Sequence, residues 1–327
     1  MLPISEDLAV QVKSGSRFLI VTHCRPDGDA LGSSFGFASV LRASGRTADV
    51  LIPCPLPDRY RKFFARFITS VSQKGLSNYD RILFLDCATI ERAEKGDVDL
   101  INSGVTLLNL DHHRGNTVAE YANASCVLPQ AASTCQLAYD LAVKCGFEVT
   151  QEAATCFLIG MMTDTGNFRF SNTSGDALRC AASLIDLGAE LEQAVNTIYF
   201  NKSMRQRNFE TDLAANALKF ACQEKIAYAF ISEDMLKKHN FDLKEDEGII
   251  DILREIDTVV IAILIHRMPS GFKLSMRSKD SRYPVGPTAR KFGGGGHDLA
   301  AGATISADDL QQVLNTILPE FEKLLAE

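Results

Sequence analysis

Phe18-Leu19-Ile20-Val21-Thr22 runs straight into His23-Cys24-Arg25-Pro26-Asp27-Gly28-Asp29-Ala30-Leu31-Gly32-Ser33. The apolar residues are too few for a helix and suit a short buried strand. Imidazole and carboxylate groups follow at once, where the chain leaves that strand. In an open α/β sheet the crevice beyond the carboxyl ends of the strands is where ligands bind, so this one junction raises both a fold and a site. Taken alone it also has a plainer explanation: Asp27-Gly28-Asp29 is a surface turn that caps the helix starting near Ala30.

The junction recurs. Arg81-Ile82-Leu83-Phe84-Leu85 ends in Asp86, residues 105–110 end in Asp111-His112-His113, and the apolar run 157–162 precedes Asp164-Thr165-Gly166. Chance turns explain one such junction, but four that each deliver Asp or His point to a shared pocket. Carboxylates gathered there repel one another unless cations neutralise them. Oxygen and imidazole donors without cysteine favour manganese or magnesium over structural zinc, with cobalt, iron and catalytic zinc also open. Cys24 and Cys87, beside these residues, are read as packing groups.

Outward from these junctions, short apolar runs alternate with longer helical patterns through the first half, the order of a parallel sheet covered by helices. Strands are expected over 17–22, 47–52, 80–85 and 105–110, and helices over 31–42, 132–144 and 151–162. From 191 to 220 the pattern turns helical and more polar, as suits a connector. Strands near 226–231, 258–265 and 271–276, a glycine run and a final helix from Ala307 follow. The expectation is an α/β protein: a doubly wound parallel sheet over 1–190, a helical linker over 191–220, and a smaller α/β domain over 221–327.

The 327 residues, 46% hydrophobic and 23% charged, lie in the globular range. The longest strongly apolar stretch, 258–265, falls well short of the ~20 residues a membrane span requires. The start of the chain lacks the basic-then-apolar order of a secretion signal, and a cytoplasmic location is expected. The nine cysteines are scattered with no Cys-x-x-Cys pair, so they are read as mostly reduced, buried thiols. A net charge of -7 argues against sequence-independent binding of long duplex DNA.

In the second half, Gly293-Gly294-Gly295-Gly296 is weak evidence until His297 ends it. Glycine amides can form an anion nest and Arg277 offers a planar fork, so Arg277, the glycines and His297 make a clamp for phosphate. Lys279, Arg282, Arg290 and Lys291 read as a solvated basic surface, and His239 and His266 as ordinary histidines.

Taken together, the chain resembles the DHH phosphoesterase superfamily, whose motifs are matched by His23 to Ser33, Asp86, Asp111-His112-His113 and Met162-Thr163-Asp164-Thr165-Gly166. Ser275-Met276-Arg277-Ser278, Lys291 to His297 and Ala300-Ala301-Gly302 resemble the domain that accompanies DHH domains in nanoRNase/pAp phosphatase proteins. The resemblance implies one metal on His23, Asp27 and Asp86 and a second on Asp29, Asp86, His112 and Asp164, with Asp86 bridging. It implies that Asp111 supports the histidine pair, that His113 contacts the scissile phosphate, and that manganese is the preferred metal. Ser275, Arg277, Gly294, Gly295, Gly296 and His297 would bind the substrate's remote phosphate. Asp298, where the family more often has a basic or small residue, and Tyr283-Pro284 depart from the pattern and bear on specificity.

Two cations ~3.5 to 4 Å apart can hold a bridging hydroxide for in-line displacement at phosphorus, without a covalent enzyme intermediate. The resemblance points to short single-stranded RNA and 3'-phosphoadenosine 5'-phosphate (pAp) as substrates, with cyclic or linear dinucleotides as the runner-up. The glycine-histidine pattern weighs against a family II pyrophosphatase, and the chain has no room for the extra modules of a RecJ-type exonuclease. A metal- or nucleotide-binding sensor is the non-enzyme alternative, disfavoured because every expected ligand is present. The helices between Leu191 and Phe220 could support a homodimer as well as a linker.

Overall fold

Along the central strands, alternate side chains enter different cores, the pattern of a sheet covered on both faces. In β1 (Arg17–Val21), Phe18 and Ile20 pack with Leu83, Leu85, Leu108 and Leu110, whereas Leu19 and Val21 pack with Ile82, Phe84 and Leu107. β1, β2 (Thr47–Leu51), β3 (Arg81–Leu85), β4 (Thr106–Asp111) and β5 (Ala124–Val127) form one parallel sheet in the order β2-β1-β3-β4-β5. The expected doubly wound sheet is present in this computed structural model, which describes residues 1–64, 73–93, 98–243 and 248–326. The strand order reverses at β1 and β3, so the loops leaving these two strands diverge and open a crevice between them.

The helices Gly28–Ala43 and Gln151–Asp164 lie against each other along their length. They can do so because glycines face the contact: a Cβ at Gly32 would stand 2.4 Å from the Cys156 carbonyl oxygen, and one at Gly160 would stand 3.0 Å from the Asp29 Cα. Gly28, at the start of the first helix, abuts Thr163, at the end of the second. Asp29 and Asp164 are thereby brought to the same end of the pair.

Contacts divide the chain into two compact units, Met1–Asn201 and Lys202–Glu327. The stretch expected as a connector is shared between them. In the helix Leu191–Ile198, Ala194 and Ile198 join the first unit's core; in the helix Met204–Asp212, Phe209 joins a core of the second.

The second unit is a six-stranded mixed sheet in the order β10-β11-β9-β8-β7-β6. Its strands are β6 (Leu218–Ala221), β7 (Ile226–Ile231), β8 (Ile261–Met268), β9 (Gly271–Ser278), β10 (Gly295–His297) and β11 (Ala300–Ile305). Only β7 and β8 pair in parallel. β8 runs past its apolar stretch through His266 and Arg267 because its hairpin pairing with β9 continues to Met268 opposite Gly271. The helix Leu310–Ala326 covers one face with Val313, Ile317 and Phe321. Among the described residues no helix is long and apolar enough to cross a membrane.

Candidate metal centre

Three strand ends and one helix end of the first unit converge at the crevice. His23, Asp27 and Asp29 follow β1, Asp86 follows β3, His112 and His113 follow Asp111 at the end of β4, and Asp164 ends its helix. Ligand atoms of His23, Asp27 and Asp86 lie within 4.8 Å of one another, as do those of Asp29, His112 and Asp164, and those of Asp86, Asp111, His112 and His113. Asp86 thus belongs to two of these groups. Its carboxylate lies 3.7 Å from His23 Nε2 by one oxygen and 3.6 Å from His112 Nε2 by the other.

Local backbone chemistry explains each placement. Asp27 does cap its helix, accepting the Asp29 and Ala30 amides at 3.0 Å each through Oδ1. The turn reading and the site reading therefore hold together, since a capping carboxylate keeps a second oxygen for other partners. Asp86 has φ +55, a left-handed conformation that a non-glycine residue adopts only when its surroundings impose it. Its amide still donates to the Leu110 carbonyl at 3.3 Å, so the chain turns sharply without leaving the ladder.

Asp29 is buried at the start of a different helix, Thr134–Cys145, and accepts the Thr134 and Cys135 amides at 2.6 and 2.9 Å. A helix N-terminus favours an anion there. Thr134 also donates its hydroxyl to Asp86 Oδ1 at 2.9 Å, locking one face of that carboxylate.

Asp111 is fully buried and heavily bonded. Oδ1 accepts the His112 and His113 amides and His113 Nδ1, the last at 2.8 Å, and Oδ2 accepts Asn116 Nδ2. Asn116 is held in turn by the Cys87 carbonyl at 3.1 Å. Asp111 thereby orients His113.

The electrostatics are those of crowded acid. Burial, then Asp86, Asp164 and Asp27, push Asp29 well above the ordinary carboxylate range. Burial with Asp27 and Asp86 raises Asp164 to about 7, against the opposing pull of His112 and His113. For Asp86 burial acts upward too, but the hydrogen bond from His23 and the neighbouring His113 and His112 outweigh it and hold the group low. Burial alone would lower His113; its bond to Asp111 and the charges of Asp86, Asp111 and Asp164 raise it to about 10. Protons held this tightly by a cluster of hard oxygens and imidazoles mark where divalent cations would sit, because a cation relieves the same repulsion without adding a proton. The donor set fits a pair of such ions.

Three features of the pocket carry no motif and were not expected: Thr134, Asn116, and Arg92, whose guanidinium lies 2.9 Å from His23 Nδ1. The reading of Cys24 as a packing thiol is corrected. Cys24 and Cys54, just beyond the neighbouring parallel strands β1 and β2, form a disulfide with a Cα–Cα distance of 5.2 Å. Seven free cysteines remain among the described residues, and all but Cys222 are buried.

The expected phosphate clamp gathers within the second unit. Pairing sets Gly295 opposite Gly302, Gly302 opposite Ser275, His297 opposite Ala300, and Ala300 opposite Arg277. Ser275 and Arg277 lie on the face of β9 opposite the buried Leu274 and Met276. The glycine run is ordered: a Cβ on Gly294 would stand 2.1 Å from the Gly302 carbonyl oxygen, and Gly296 has φ +126. The basic surface is engaged locally, with Arg282 on Asp280, Lys291 on Glu320 and Arg290 on Asp298, the residue that departs from the expected pattern. His239 pairs with Asp212 at 2.6 Å, as an ordinary structural histidine does.

Known proteins resemble this chain in sequence and in fold. Residues 17–161 match the model of the DHH family, N-terminal domain, and residues 223–323 match that of the DHHA1 domain. The chain is 32% identical over 300 residues to a protein of Thermus thermophilus named bifunctional oligoribonuclease and PAP phosphatase NrnA, covering 91% of this chain and 87% of that one. A Bacillus subtilis protein of the same name is 27% identical, covering 92% and 94%. The crystal structure of an exopolyphosphatase-related protein from Bacteroides fragilis matches the fold with a TM-score of 0.90 at 22% identity, covering the whole of both chains.

Proposed function

The chain belongs to the DHH family, and from that premise we propose that it is a metal-dependent phosphoesterase of short single-stranded RNA oligonucleotides and pAp. Relatives matched over most of their own length are named for those two activities. The observation that carries the reading is Asp86, one carboxylate within reach of both histidine-acid groups at the switch point of the sheet.

In this reading His23, Asp27 and Asp86 hold one divalent cation and Asp29, Asp86, His112 and Asp164 the other, with manganese as the native metal. When bound, the pair supplies Lewis acidity toward the phosphoryl oxygens and an activated water for in-line displacement. The protein's own groups do the rest. Thr134 and the helix amides fix Asp86 and Asp29 so that neither carboxylate rotates during turnover. Asp111 accepts from His113 Nδ1, which leaves Nε2 as the donor to charge developing on the phosphoryl group. In the second unit Arg277, Ser275, Gly294, Gly295, Gly296 and His297 offer the donors for a substrate phosphate.

The test is release of phosphate and nucleotide from pAp, a 5'-phosphorylated RNA dinucleotide, c-di-AMP and pyrophosphate, with and without manganese. Manganese-dependent turnover of the first two with pyrophosphate untouched supports the reading. A preference for c-di-AMP replaces the substrate class, and silence across the panel with manganese bound replaces the enzyme by a sensor.

A further inference from the structure

His23 Nδ1 faces two groups that make incompatible demands on it. The Cys24 carbonyl oxygen, 3.0 Å away, needs an N–H there; Arg92 Nη2, 2.9 Å away, is itself a donor and needs a lone pair. A neutral imidazole can serve one of them at a time. A cation at His23 Nε2, the atom that faces Asp86, takes the lone pair of that nitrogen and leaves the proton on Nδ1. Nδ1–H then donates to the Cys24 carbonyl oxygen, and the guanidinium of Arg92 loses its acceptor.

We infer that Arg92 is a phosphate-anchoring residue of the first unit, whose guanidinium lies beside His23 Nδ1 and takes a substrate phosphoryl oxygen once His23 holds a metal through Nε2. Its position suits the role. Arg92 is exposed on the short helix Ile90–Ala93, so its side chain can swing without disturbing the core. Its backbone is fixed, because the Arg92 carbonyl accepts the Cys24 amide at 2.6 Å and ties this helix to the loop that carries His23 and Asp27. Its charge is felt at Cys87, next to Asp86. A planar fork of donors tethered beside a pocket of acids suits a tetrahedral dianion bridging to cations, and is the geometry for which arginine exceeds lysine. The inference deepens the proposed phosphoesterase reading and rests on it for the identity of the phosphate.

Two measurements on Arg92→Gln and Arg92→Lys in the full chain test it, one independent of turnover. Calorimetry gives the affinity for Mn2+ and, on the manganese-loaded protein, for inorganic phosphate; steady-state kinetics give KM and kcat for pAp. Arg92→Gln is expected to bind Mn2+ at least as tightly as the wild type, since His23 loses only a competitor. Phosphate affinity is expected to weaken about tenfold or more, as for the loss of a charge-assisted hydrogen bond, with a matching rise in KM, a smaller change in kcat, and partial recovery in Arg92→Lys. Unchanged phosphate affinity in Arg92→Gln overturns the inference, and so does weakened Mn2+ binding, which would make Arg92 a support for His23. If the wild type turns over none of the panel, the phosphoesterase reading fails while the phosphate titration still decides the role of Arg92.

Discussion

The two candidate regions are built from opposite materials. In the first unit Asp29, Asp86 and Asp111 are buried side chains, each gripped by backbone amides, a hydroxyl or an amide from another segment. In the second, the glycine run, Ser275, Arg277 and His297 lie at least partly open along strands, and at Gly294 and Gly296 the neighbours leave no space for a Cβ. Buried, fixed charge suits groups that must not move as charge develops on a substrate. Open backbone donors suit a ligand that arrives and leaves. Mutations in the first region should therefore act on metal and turnover together, and those in the second on affinity.

The strongest way to break that contrast is Asp86→Asn. Turnover is expected to fall by a factor on the order of a thousand, with loss of at least one Mn2+ in calorimetry. Retained activity with both ions bound would remove Asp86 from its central place.

Next in size is the effect of the cations on stability. Metal at a hundred times its Kd should stabilise the fold by about 2.7 kcal/mol, read as a higher Tm with Mn2+ than with a chelator. The metal-free protein should also depend on pH in one direction. Asp29 and Asp164 are raised in the fold, the latter to about 7 from 3.8, so their contribution is present below the unfolded value and lost as pH rises through the folded one. His113, raised to about 10 from 6.5, loses its contribution over the higher window with the same sign. Asp86 and Asp111 are depressed, so their opposite contribution lies below 3.8 and is complete above it. Melting temperatures measured in chelator from pH 5 to 9 should fall steadily, and manganese, by replacing those protons, should flatten the slope. A rise with pH in chelator would mean that the acids do not share one pocket.

Thr134→Val should weaken Mn2+ binding by about tenfold to a hundredfold, the usual effect of removing a group that orients a metal ligand. An unchanged Mn2+ isotherm would show that the helix amides alone fix the carboxylates. The smallest expected effect is Arg277→Lys, which should raise KM for pAp about tenfold or less while leaving the Mn2+ isotherm unchanged. A loss of metal in that variant would erase the distinction between the two regions.

The sheet and the gathering of Asp and His side chains at its edge were legible in the sequence because one grammar repeats: an apolar run, then Asp or His at its end. β5 escaped because Ala124–Val127 is four residues long and lacks a distinctive alternation. β10 escaped because glycine is a poor strand former, and nothing local announces the antiparallel partner at Ala300–Ile305 that draws Gly295–His297 into the sheet. Thr134 and Asn116 were missed for a different reason. Each is a single polar residue whose importance lies in a partner far along the chain, Asp86 for one and the Asp111 pocket for the other. Ser133, a helix-capping residue ahead of a helical run, was the one signal that a helix N-terminus would be available to an anion. The Cys24–Cys54 pairing depends on β1 and β2 being neighbours, which the spacing of the cysteines does not disclose.

That the pocket draws on residues as far apart as His23 and Asp164 has a kinetic consequence. No segment of the nascent chain holds more than a fraction of the coordination shell, since Asp29 is placed by Thr134, Asp86 follows a strand paired in parallel on both sides, and Asp164 ends a helix docked through glycines. Long-range pairings of this kind form late and fold slowly. A cation therefore gains its full grip only once these distant segments have come together. Interactions absent from the transition state leave the folding rate alone and slow unfolding. For this chain the metal acts as a bolt on a finished structure, lengthening its lifetime and leaving the speed of its assembly to the sheet.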